Sequence, residues 1–268
     1  MISVSGLGKK SRGELAEILR RSTGTISVQQ VVELLGLPAD KAAKKLARWA
    51  SKGWLSRIRQ GLYVPVPLES STADVPLDDP WIIAERLYSP CYISGWSAAE
   101  YWGLTEQIFR TIVVLTLQKP RDRRPKIRDV DFLVRTISEK AFFGTTPVWR
   151  GRVKMNIADP SRMVVDMLAD PALGGGLRPT VDVLRSYFGS EKRNDKLLIE
   201  YGDRLGNGAV FKRLGFLSER LLSDDKELTA ACRSRLTKGN AKLDPALSAD
   251  RLVSAWRLWV PAGWSEVK

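Results

Sequence analysis

Apolar residues return every three or four positions in three successive stretches near the amino end. In SRGELAEILRRST, residues 11–23, Leu15, Ile18 and Leu19 share one face and Ser11 is placed to cap. SVQQVVELLG, residues 27–36, reads as a helix capped by Ser27 and stopped by Gly36, and PADKAAKKLARWASKG, residues 38–53, opens on proline and closes on glycine. WLSRI and LYVPV, residues 54–58 and 62–66, then read as two short strands around Arg-Gln-Gly. Three helices followed by a β-hairpin is the order of a winged helix-turn-helix.

Beyond residue 80 the period is mixed. DPWIIAERLY and SGWSAAEYWGL have helical spacing, TIVVLTL, VDFLVRT and RVKMNIA have strand character, and DPSRMVVDMLADPAL carries a helix start, with Asp159 as cap and Pro160 in the first turn. DKLLIEYGDRL, NGAVFKRLGFLSERLL and DDKELTAACRSRL each present an apolar stripe. The glycines of GGG (174–176) and GNG (206–208) sit where helices stop and start. The expected class is α+β: an amino-terminal winged helix-turn-helix followed by a larger mixed α/β domain with a helical carboxy-terminal part. The run PVPLESSTADVPLDDP, proline-rich and without period, divides the chain into a winged helix at 1–67, a linker at 68–80 and an α+β domain with helical tail at 81–268.

Charge sharpens the division. Residues 1–67 hold 12 Lys/Arg against 4 Asp/Glu, whereas residues 68–190 hold 16 against 15, so most of the +13 excess is concentrated in the first quarter. A basic domain of this kind favours a polyanionic partner. On the third helix the spacing places Ala43, Leu46, Ala47 and Ala50 on a core-facing stripe and Lys41, Lys44, Lys45 and Arg48 on the opposite face. A slim basic helix fits the major groove, about 12 Å wide, where Lys and Arg reach phosphates or guanine O6 and N7. Arg57 and Arg59 would bring the wing onto the adjacent backbone or minor groove, Gln29 and Gln30 would touch backbone at the start of the second helix, and Trp49 and Trp54 would fill the core. KPRDRRPKIR, residues 119–128, is a basic loop that would suit a second contact to DNA backbone or to a protein surface.

The chain contains no histidine, which removes Ser-His-Asp triads, Cys-His dyads and histidine-dependent zinc catalysis. Cys91 and Cys232 are far apart and suggest buried thiols rather than a disulfide or zinc site. GLGKKS, residues 6–11, departs from a phosphate loop at the first glycine, where Ser3 stands, and at the magnesium-binding hydroxyl, where Lys10 stands. No metal or cofactor is expected, and Asp159 and Asp166 are read as structural. The amino end lacks the apolar core of a signal peptide and no run approaches the length of a spanning helix, so a cytoplasmic protein is expected.

A hairpin closing on GLYVP, then YISGWSAAEYWGLTEQI, ADPSRMVVDMLADPALGGGL and GNGAVFKRLGFLSERL, in that order between residues 11 and 222, resembles the AbiEi family of antitoxins from abortive-infection toxin-antitoxin systems. The resemblance implies a non-enzymatic regulator whose winged helix binds inverted repeats in double-stranded promoter DNA to repress its own operon; since one winged helix covers one half-site, two copies would be required, whether preformed or assembled on the DNA. It also implies a carboxy-terminal domain that counteracts a nucleotidyltransferase-like toxin, with or without direct contact. Lys212, Arg213 and Phe216 then become candidates for the toxin response, either as a docking face or as core with a charged rim. The competing class is a magnesium-dependent nuclease built on Asp129 and Asp131, which needs oxygen ligands alone.

Overall fold

The computed structural model describes residues 6–22, 24–66, 79–127, 130–151, 153–222 and 226–264. The expected linker, apart from Asp79 and Pro80, falls within residues 67–78 and so lies outside them, as does the terminal Glu-Val-Lys. Two units of dense internal contact are formed, one by residues 1–87, 125–131 and 149–155, the other by residues 88–124, 132–148 and 156–268.

The first unit begins with α1 (Lys9–Arg21), β1 (Ile26–Ser27), α2 (Val28–Leu35), α3 (Ala39–Ser51), β2 (Leu55–Arg59) and β3 (Leu62–Pro65). Gly8, not Ser11, precedes the first helical turn of α1, and no side chain caps it. Leu15 and Ile18 are buried but Leu19 is 37% exposed, so two residues of the expected stripe dock and the third lies at the rim. Helix α2 starts on a reciprocal capping box: Ser27 Oγ accepts from the Gln30 amide at 3.2 Å and Gln30 Oε1 from the Ser27 amide at 2.9 Å. Gly36 ends it in the left-handed conformation, φ 60°. Strand β3 lies between β1 and β2, antiparallel to both, with Ile26 opposite Tyr63 and Arg57 also opposite Tyr63 from the other side. Leu15, Ile18, Ile26, Val31, Ala42, Leu46, Trp49, Leu55 and Tyr63 form one core, all from residues 15–63. That self-contained core is what allows so short a segment to hold a fixed surface. Helix α4 (Pro80–Tyr88) follows and begins in this unit.

The remaining elements are β4 (Cys91–Ile93), α5 (Gly95–Tyr101), β5 (Thr111–Thr116), β6 (Lys126–Ile127), β7 (Val130–Thr136), β8 (Thr145–Arg150), β9 (Val153–Ala158), α6 (Pro160–Ala169), α7 (Leu177–Phe188), α8 (Asp195–Leu205), α9 (Gly208–Leu221), α10 (Lys226–Arg233), β10 (Ala241–Lys242), β11 (Arg251–Val253) and β12 (Leu258–Val260). Strands β4 to β9 form a mixed sheet in the order β6-β7-β5-β4-β9-β8, and β10-β12-β11 form a small sheet near the carboxy end. The chain is thus a mixed α/β protein with several sheets, and no helix among the described residues is long and apolar enough to cross a membrane.

Buried polar side chains tie the second unit together. Asp159 caps α6 by accepting from the Arg162 amide at 2.8 Å, and its other oxygen accepts from Tyr201 Oη at 2.8 Å, which with burial pushes the Tyr201 phenol up to about 12. Asp166 Oδ1 accepts from Arg162 Nε at 3.0 Å, and its Oδ2 accepts from Ser94 Oγ at 2.8 Å and Tyr92 Oη at 3.2 Å. The Arg162 guanidinium also lies 4.1 Å from the Phe143 ring centre. This cluster fastens α6 to β4 and to the start of α5, and the oxygens of both aspartates are engaged by protein hydrogen-bond donors.

Candidate nucleic-acid interface

The phase of α3 decides which of its cations are available. Ala42, Leu46 and Trp49 are buried, Ala43 and Ala50 are half-buried, and Ala47 is exposed. The apolar stripe is therefore rotated from the expected Ala43, Leu46, Ala47, Ala50. Burying an indole removes far more apolar surface from water than burying two alanine methyls, so Trp49 sets the phase. At 100° per residue, Ala47 then points about 200° away from Trp49, out of the core. The same rotation corrects Lys45. Its Nζ sits 2.6 Å from Glu14 Oε2 on α1 and 5.5 Å from the Trp49 ring centre, with the side chain 25% exposed. Lys45 joins two helices and is not part of the outer face.

What remains outward is Lys41, Lys44, Ala47 and Arg48, all exposed. The alanine keeps this face slim, and the cations flank it. Lys44 lies 3.9 Å from Asp40, but both side chains are largely in solvent, so the pair is weak and yields readily to a phosphate. Trp49 is buried as expected, and Trp54 packs half-buried against the same core.

The hairpin holds a second set of cations. Arg57 and Arg59 are both exposed on β2, with a register shift between them. The turn runs through Gln60 and Gly61, whose φ of 78° is in the left-handed region that favours glycine. Gly61 carbonyl accepts from the Val28 amide at 3.1 Å, fixing the hairpin turn to the first residue of α2. Helix and hairpin are thereby joined through β1, α2 and the shared core.

The two glutamines are placed differently. Gln29 is exposed and its amide donates to Glu33 at 3.0 Å, so it stays at the surface. Gln30 is committed to the capping box and is withdrawn from the candidate contacts. The Ser-x-x-Gln spacing at 27–30 is itself the sequence signal for that cap.

Lys212, Arg213 and Phe216 do not form a docking face, because they are 3%, 4% and 0% exposed. Arg213 Nη1 donates to the carbonyls of Leu168 at 2.6 Å and Ala169 at 3.1 Å, closing the carboxy-terminal end of α6, and Nε and Nη2 donate to Lys242 carbonyl at 3.0 and 2.8 Å. Lys212 Nζ donates to Gly239 carbonyl at 2.9 Å, and burial draws its pKa down, with Arg257 adding to the effect. Both cations are struts between α9, α6 and the small sheet. Phe216 is packed beneath the Arg220 guanidinium, 3.7 Å from its ring centre.

Of the nuclease carboxylates, Asp131 is exposed on β7 and Asp129 lies outside the described residues. Among the described residues no group of three His, Cys, Asp or Glu side chains could hold a metal ion. Cys91 and Cys232 are both buried and form no disulfide, and burial pushes the Cys232 thiol up to about 12.

Residues 14–66, which span the core, α3 and the hairpin, match the family model described as transcriptional regulator, AbiEi antitoxin. This segment is an AbiEi antitoxin domain. The AbiEi match thus covers every outward cation of α3 and of the hairpin, and it identifies a transcriptional regulator of a toxin-antitoxin system. No curated protein matches the sequence. Among solved structures, the crystal structure of RV2827C protein from Mycobacterium tuberculosis is similar over 97% of this chain and 94% of that one, with a TM-score of 0.64 and 15% identity. At that identity the likeness extends the fold beyond the AbiEi domain and carries no more than the fold.

Proposed function

We propose that the protein is a DNA-binding antitoxin that represses its own toxin-antitoxin operon, reading double-stranded promoter DNA through a winged helix-turn-helix at residues 6–66. The observation that carries this reading is the outward face of α3, where Lys44 and Arg48 flank the exposed Ala47, held beside the Arg57 and Arg59 hairpin. The helix would enter the major groove and the hairpin would lie on the adjacent backbone. One such domain covers one half-site, so an inverted repeat takes two copies, assembled before or on the DNA. The second half of the reading, for which the antitoxin description of the matched family is the support, is a carboxy-terminal part that would counteract a nucleotidyltransferase-like toxin. Such a regulator would work in the cytoplasm, and it needs no catalytic group of its own.

Fluorescence anisotropy with a duplex from upstream of the protein's own gene, against a scrambled duplex at fixed salt, tests specificity. The promoter duplex should bind more tightly by a factor on the order of 10³ or more. Equal affinities would leave only charge-driven binding and remove the regulator reading. A fragment of residues 1–70 should fold on its own core and keep the preference with lower affinity, while a fragment from residue 76 onward should protect toxin-expressing cells without repressing. Protection by the amino-terminal fragment alone would reverse that division of roles.

A further inference from the structure

The tip of the β8–β9 hairpin, residues 149–155, belongs to the same unit as the AbiEi domain. Its sequence is Trp-Arg-Gly-Arg-Val-Lys-Met, with three cations, and no acidic residue occurs from 149 until Asp159. Trp149 is 66% exposed, although its neighbour Val148 is 8% exposed and buried as strand alternation requires. A tryptophan left in water beside a basic turn is an unusual surface, because its ring forgoes a large burial gain. Gly151, in the turn, is exposed and adopts φ 57°, and a Cβ there would meet nothing within 4 Å.

The tip is anchored through Arg150. The Arg150 guanidinium stacks 4.4 Å from the Trp81 ring centre and lies 3.8 Å from Asp79, both at the start of α4. The next residue of α4, Ile82, lies against Gly24 in the loop between α1 and β1, 3.9 Å from where a Cβ on that glycine would stand. A chain of contacts thus joins the AbiEi domain through α4 to Arg150, while Trp149 and the exposed Lys154 remain outward.

We propose that this tip is a second DNA contact, with Lys154 on a phosphate and Trp149 against the sugar backbone of base pairs flanking the half-site read by α3. The proposal rests on the DNA-binding reading above. The chemistry of the tip selects the occupant: its sequence is basic and carries no carboxylate of its own, and although Arg150 is engaged by Asp79 the exposed Lys154 beside Trp149 complements a phosphate ridge, two-stranded ribbons reach into DNA grooves, and apolar side chains on DNA-binding proteins pack against sugars and base steps.

Two duplexes separate the possibilities, one limited to the half-sites and one extended by about one helical turn, roughly 10 base pairs, on each side. The full-length protein should bind the longer duplex about 10-fold more tightly. Trp149→Ala with Lys154→Ala should lower the longer duplex to the affinity of the shorter one, reduce the slope of log K against log salt by about 1, and leave the shorter duplex and the melting temperature unchanged. Lys154→Glu, a change at an exposed side chain, should give the same pattern without touching the packing. Unchanged binding of both variants to the longer duplex would overturn the proposal, as would unchanged DNA binding with lost capture of a protein partner, or an equal loss on both duplexes with a lower melting temperature. If Lys44→Ala with Arg48→Ala abolishes binding while the tip variants do not, the second contact alone falls. If the unaltered protein binds neither duplex, the DNA-binding reading falls with it.

Discussion

Alanine at both Lys44 and Arg48 should weaken binding to the promoter duplex by about 100-fold, since each lost charged contact to a phosphate or a guanine edge is worth about 1–3 kcal/mol. The slope of log K against log salt should become shallower by about 2 if both side chains neutralise phosphates, at roughly 0.9 per phosphate. Both residues are exposed, so folding should be unaffected and the melting curve should overlay that of the unaltered protein. Lys45→Ala is the control that the structure supplies. It sits one residue from Lys44 and has the same charge, but its Nζ is engaged by Glu14 at 2.6 Å. Its loss should lower stability by up to about 1 kcal/mol and leave the salt slope as it was. A salt titration by anisotropy reads all three variants; a shallower slope for Lys45→Ala than for the Lys44 and Arg48 pair would mean that α3 meets DNA with a different face.

Asp166→Ala should destabilise the second unit by about 3–5 kcal/mol, because it leaves a guanidinium with no counter-charge in the interior. Arg162 is 0% exposed and Asp166 is 3% exposed, so water cannot replace the missing carboxylate. The loss would also strip Ser94 and Tyr92 of their shared acceptor. Replacing both charges, Arg162→Met with Asp166→Leu, should recover much of the deficit, since the desolvation cost of each ion disappears with its partner. Denaturant unfolding followed by tryptophan fluorescence gives the comparison. A single variant within about 1 kcal/mol of the unaltered protein would show that the cluster is hydrated and does not hold α6 to β4.

Elements with local signals at both ends are legible from the chain alone. Ser27 and Gly36 bound α2, Asp159 with Pro160 starts α6, and Gly206 and Asn207 end α8 and cap α9, because each device acts within a few residues of the helix it terminates. The phase of α3 is harder, since alanine is indifferent to burial and only Trp49 breaks the tie. The carboxy-terminal sheet is not legible at all: β10 and β12 are two and three residues long, and Ala241 pairs directly with Leu258 in parallel although β11 lies between them in sequence. Lys212 and Arg213 look like surface cations for a related reason. Their acceptors, the carbonyls of Gly239, Lys242, Leu168 and Ala169, are backbone groups that no side-chain pattern announces. In the candidate interface, Lys41, Lys44, Arg48, Arg57 and Arg59 keep their expected exposure, whereas Lys45 and Gln30 are taken up by the fold itself.

Hydrogen-deuterium exchange on the full chain, free and bound to its promoter duplex, shows whether α3 and the hairpin meet the DNA. New protection is expected at residues 39–48 of α3 and 57–61 of the hairpin. Protection confined to residues 88–264, with α3 and the hairpin exchanging as in the free protein, would contradict that contact.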